Sequence, residues 1–101
     1  MTQQARIRIP PGHPAFAGHF PSRPILPGVV LLQEAARHIA DGLVLDAEPV
    51  WGLNRVKFFQ PALPGDQLDL SWSTTETGDI RFRIERTGEV LAEGVLRSAR
   101  T

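Results

Sequence analysis

Ala5, Ile7 and Ile9 alternate with Arg6 and Arg8, a period of two that predicts a short strand with one buried face. Pro10, Pro11, Pro14, Pro21, Pro24 and Pro27 come next, six of the nine prolines, and predict a loop. The period then changes. Val29, Leu32, Ala35, Ala36, Ile39 and Ala40 recur at helical spacing, predicting one long helix over 28–41, opened by Pro27 or Gly28 and closed by Gly42 as a left-handed C-terminal cap. From residue 48 onward the chain reads as strand and turn. Val50 to Phe59 is rich in β-branched and aromatic side chains. Leu68, Leu70 and Trp72, then Ile80, Phe82 and Ile84, alternate with polar residues on either side of Thr77-Gly78-Asp79, the pattern of a hairpin. A second turn at Thr87-Gly88 leads to Val90, Ala92, Gly94 and Leu96, with Gly94 marking a bulge or a close approach.

Strand, loop, helix and four further strands make an α+β domain, a single one over residues 1–101. One helix covers one face of a five-stranded sheet, so the simplest architecture wraps the sheet around the helix and pairs two chains. Composition sharpens this picture. A content of 42% hydrophobic residues supports a core, and 11 basic against 11 acidic side chains leave no global field to attract nucleic acid. The absence of cysteine removes disulfides and thiolate zinc sites as reinforcement for so small a domain. Residues 1–10 contain no signal-like apolar stretch, and the longest near-apolar run, Ile25 to Leu32, is broken by Pro27 and Gly28. A cytoplasmic chain with no membrane segment is expected.

His13 and His19 lie in the loop and His38 on the helix, which argues against a metal site, and P-loop, GxGxxG and GxSxG motifs are missing. No metal or cofactor is expected. His13 and His38 read as structural or surface residues, and Arg81 to Arg86 as a solvated strand face. The run from His13 to Glu34 is the exception: a histidine in a proline-stiffened loop leads into a helix whose first N–H groups lack intrahelical acceptors. His19 beside the Pro27-Gly28 turn would bring a base and a carbonyl-polarising donor to one substrate.

Gly18-His19-Phe20-Pro21, Pro24 and Leu26-Pro27-Gly28-Val29, followed by Val56-Lys57-Phe58 through Pro61 and by Pro64-Gly65-Asp66-Gln67-Leu68, resemble the signatures of the hot-dog-fold 3-hydroxyacyl-acyl-carrier-protein dehydratases and their polyketide and aryl-polyene relatives. The likeness covers roughly residues 5 to 97.

The resemblance implies a curved antiparallel sheet around a central helix, joined with a second copy into ten strands. It also implies a hydro-lyase reaction on 3-hydroxyacyl thioesters, carried by acyl carrier protein or coenzyme A. His19 becomes the base that removes the C2 proton, Gly28 the backbone donor to the thioester oxygen, and Phe20, Leu26, Pro27 and Val29 the substrate wall, with Phe16 and Phe58 as core or tunnel residues. Arg23, Arg55 and Lys57 read as dispersed surface charge rather than a carrier-protein patch. The family places its acidic residue on the sixth position after the proline, which here is Gln33. An amide donates no labile acidic proton, and Glu34 lies about 100° further round the helix, among Arg37, His38 and Asp41. Three readings follow: a dehydratase in which Gln33 orients the hydroxyl and His19 returns the proton, a weakened subunit paired with an acid-bearing partner, and an acyl thioesterase.

Overall fold

A computed structural model describes residues 2–16, 25–42 and 51–98. Strand β1 (Gln3–Arg8) is followed by a single 3₁₀ turn at Pro14–Phe16, helix α1 (Gly28–Gly42), and strands β2 (Trp51–Phe58), β3 (Gln67–Thr74), β4 (Ile80–Arg86) and β5 (Glu89–Ser98). The strands form one antiparallel sheet in the order β1-β3-β4-β5-β2. Among the described residues no helix is long and apolar enough to cross a membrane.

Alternation decides which face is buried. Leu68, Leu70 and Trp72 of β3 point inward with Ile80, Phe82 and Ile84 of β4, and meet Leu31, Leu32, Ala35 and Ile39 of α1 in one core. Each such large apolar side chain contributes roughly 1.5–3 kcal/mol on full burial. On the outer face Arg81 and Arg83 are exposed, and Arg83 pairs with Glu85 at 3.8 Å and Glu93 at 3.3 Å. A shallow basin of about 670 Å³ lies there, bordered by Arg55, Lys57, Arg81 and Arg83.

Three sequence expectations change, and of the two alternatives for Gly94 the close approach is the one that holds. Val29 is 61% exposed, and the buried helical stripe runs through Leu31, Leu32, Ala35, Ile39 and Ala40. The stripe turned inward by the sheet is therefore centred away from Val29. Gly42 is the last helical residue and has no left-handed backbone. Its lack of a side chain serves packing, because a Cβ there would stand 2.7 Å from Trp72 Cζ2. Strand β5 does not alternate throughout: the register slips between Ile84 and Glu85 opposite Leu91, so Leu91 and Ala92 are both fully buried. Finally, Asn54 pairs with Val95 and Lys57 with Glu93, leaving Arg55 and Val56 opposite Gly94 alone. The bulge thus lies in β2, with Arg55 at φ 53°, and Gly94 is the close-approach partner, its missing Cβ only 2.9 Å from Val56 Cα.

The Pro64-Gly65-Asp66 turn ties three elements together. Gly65 adopts φ 82°, which favours glycine, and its N–H donates to Ile9 O at 2.8 Å while Ile9 N–H donates to Asp66 O at 2.8 Å. Asp66 Oδ2 accepts from Leu63 N–H at 2.8 Å and from Arg86 Nη1 at 2.7 Å. Replacing Asp66 by Ala leaves the half-buried Arg86 guanidinium only its longer contacts to Pro61 O and Glu89 Oε1, both at 3.3 Å, removes the acceptor of Leu63 N–H, and should cost about 2 kcal/mol. Thermal denaturation should show Tm lower by about 10 °C, and a Tm within 2 °C or so of the parent would deny the turn this role.

Candidate active site at the start of the helix

Leu26 is buried and its N–H donates to Ala62 O at 2.8 Å, an isolated antiparallel bridge that fixes the chain just before the helix. Pro27 then restricts the backbone, and its carbonyl accepts from Val30 N–H at 3.0 Å and Leu31 N–H at 3.2 Å. Pro27 is therefore the N-cap and Gly28 the first helical residue. The N–H groups of Gly28 and Val29 have no acceptor among the described residues. No carboxylate occupies the first turn, so the helix's own first turn does not compensate the positive end of its dipole. The arrangement suits a developing negative charge on oxygen.

Phe58, at the end of β2, closes one side of this helix start. A Cβ on residue 28 would lie 2.8 Å from Phe58 Cζ and 2.9 Å from Cε1, so only glycine lets the ring rest directly on the helix backbone. The remainder of the ring is open, Phe58 being 51% exposed. With Val29, Phe59 and Leu63 it is one of the large exposed hydrophobic residues among those described. Gln33 is exposed one turn after Val29 and on the same helical flank.

Glu34 occupies the opposite flank. Its carboxylate contacts Arg37 through Oε2, and Oε1 lies 3.8 Å from His13 Nε2. Nothing in the spacing of residues 13 and 34 signals this contact, which joins the residue before the 3₁₀ turn to the helix. The Phe58–Gly28 contact is likewise a product of sheet and helix meeting, although both residues stand in the motifs quoted above. His19 and Phe20 lie outside the described residues. The structure thus brings Gly28, Pro27, Val29 and Gln33 to one end and one flank of α1, and buries Leu26 beneath that end.

Comparison with known proteins bears on this geometry. The family model described as ApeI-like, ApeI dehydratase, matches residues 1–95. The dehydratase heterocomplex ApeI:P from Xenorhabdus doucetiae is similar at 29% identity and a TM-score of 0.78, over 98% of this chain and 88% of that one. An uncharacterized protein from Erwinia carotovora subsp. atroseptica shares 22% identity at a TM-score of 0.72, over 95% of this chain and 81% of that one. The (R)-hydratase from A. caviae involved in PHA biosynthesis shares 16% identity at a TM-score of 0.68, over 95% and 91% of the two chains. At those lower identities the likeness concerns the fold alone. The antiparallel sheet and its single helix are a hot-dog fold, and the chain belongs to the ApeI-like dehydratase family.

Proposed function

We propose that the protein is a 3-hydroxyacyl-thioester dehydratase acting on carrier-protein-borne substrate, with His19 as base. The observation that carries this reading is the N–H pair of Gly28 and Val29, without an acceptor among the described residues, on a helix whose first turn holds no carboxylate and whose start lies beside Phe58. Dehydration proceeds by transfer of the C2 proton of the substrate to the His19 imidazole, the electron pair moving onto the thioester oxygen. Gly28 N–H donates to that oxygen. The electron pair then returns to form the C2–C3 double bond, the C3–O bond breaks, and the hydroxyl leaves as water with a proton returned from His19. Gln33, on the flank shared with Val29, orients the departing hydroxyl.

Pairing of two chains completes the proposal. Strand β2 is a margin of the sheet and ends in the exposed Phe58, which favours joining a second chain along β2. That chain is a second copy in the simplest case. A related acid-bearing subunit is the alternative supported by Gln33 in the carboxylate position and by the heterocomplex formed by the ApeI relative.

The test is hydration of a 2-enoyl thioester and dehydration of its 3-hydroxy form by purified protein, followed by mass spectrometry. Interconversion is expected; free acid instead would make the protein a thioesterase, and no turnover by folded dimer would favour the partner-dependent subunit. Gln33→Glu should raise the dehydration rate about 10-fold, part of the 10²–10⁴ that a general acid supplies. An unchanged rate would remove residue 33 from the acid position.

A further inference from the structure

We propose that His13 and Glu34 are positioning residues, a brace that locks the 3₁₀ turn at Pro14–Phe16 to the flank of α1 and sets the turnover of the reaction proposed above. The inference rests on that reading of His19 and Gly28. Ala15 N–H donates to His13 Nδ1 at 3.0 Å, so Nδ1 is the acceptor and the proton of the neutral ring sits on Nε2. That nitrogen faces Glu34 Oε1 at 3.8 Å. The other carboxylate oxygen is taken by Arg37, and His38 Nδ1 bonds to the Glu34 carbonyl at 2.9 Å. The His13 ring also meets Phe16 edge to face, with centroids 6.2 Å apart. Both partners are largely covered, with side-chain exposures of 20% and 17%.

What this brace joins gives it consequence. On one side is the backbone at Ala15 and Phe16, three to four residues before His19 in the sequence; on the other is the helix residue next to Gln33, on the helix that begins at Gly28. The brace fixes Ala15 and Phe16 against α1, so in this proposal the segment that continues to His19 starts from a point set by His13 and Glu34. A displacement of about 1 Å between base and oxyanion donor costs up to 10²-fold in rate.

The variants are His13→Asn, Glu34→Ala and the pair together, with His19→Ala alongside. Asn retains an acceptor for Ala15 N–H, but its amide ends short of the position from which Nε2 faces Glu34, so it isolates the helix arm of the brace. Each single variant should lower kcat about 10-fold with KM changed less than about 2-fold, and the double variant should be no slower than either. Unchanged kcat, an effect on KM alone, or losses that multiply in the double variant would overturn the brace. So would a Glu34→Ala loss about 100-fold greater than that of His13→Asn, which would make Glu34 the acid itself. Full activity in His19→Ala defeats the site reading separately, since coupling between residues 13 and 34 is judged from their own kcat values. If the protein alone shows no turnover, the imidazole NMR signals of His19 serve instead: the same shift in both singles and the double supports the brace, and unchanged signals overturn it.

Discussion

His19→Ala should lower enoyl-thioester hydration and 3-hydroxyacyl dehydration by at least 10²- to 10⁴-fold, about what a positioned acid–base group contributes. The loss is expected at the top of that range, because in the proposed mechanism, with an amide at residue 33, the same imidazole both removes the C2 proton and returns one to the leaving hydroxyl. Alanine leaves no other base at that position. The loss should appear in kcat, while the affinity for substrate, supported by Gly28 and the apolar surface around Val29 and Phe58, changes little. A melting curve matching the parent would attribute the loss to chemistry, and a rate equal to the parent would take His19 out of the mechanism.

Gly94→Ala should cost about 2–3 kcal/mol and lower Tm by roughly 15 °C. The added methyl would stand 2.9 Å from Val56 Cα and Cγ2 and 3.3 Å from Phe82 Cζ. Turning a rotamer relieves contact with a side chain; it does nothing for contact with Val56 Cα. The strain must pass into the β2 bulge, where Arg55 already holds φ 53°, or separate β2 from β5. Because Phe58 at the end of β2 rests on Gly28, residual activity should fall as well. Thermal denaturation followed by circular dichroism measures the first effect, and a Tm within about 3 °C of the parent would show that the bulge absorbs the methyl.

Much of the fold was legible because the periodicities are clean. The helix predicted over 28–41 is Gly28–Gly42, and the alternating runs on either side of Gly78 form the β3–β4 hairpin. Gly78 and the pair Thr87 and Gly88 take positive φ in their turns, as the turn reading requires. What escaped arises between elements. The two-against-one pairing of Arg55 and Val56 with Gly94 depends on where β5 falls beside β2, and no count along either strand contains that register. Val29 reads as a core residue by spacing alone, yet the sheet covers the neighbouring stripe. Near the helix start, the opening of α1 at Gly28 was readable from the Pro-Gly pair, whereas the His13–Glu34 contact depends on how the 3₁₀ turn folds back on α1.

The strand order also governs how the chain assembles. Strand β2 follows the helix directly, but its neighbour in the sheet is β5, pairing Trp51 with Ser98 and Phe58 with Ala92. On a growing chain residues 51–58 emerge well before their partner, carrying two aromatic side chains, Trp51 and Phe58, and an unsatisfied backbone. Closing that long loop comes late and slowly, after the β3–β4 hairpin has formed from local contacts. Interrupting β5 at its centre would consequently release two strands, and the surface on which a second chain is proposed to assemble would disappear with them.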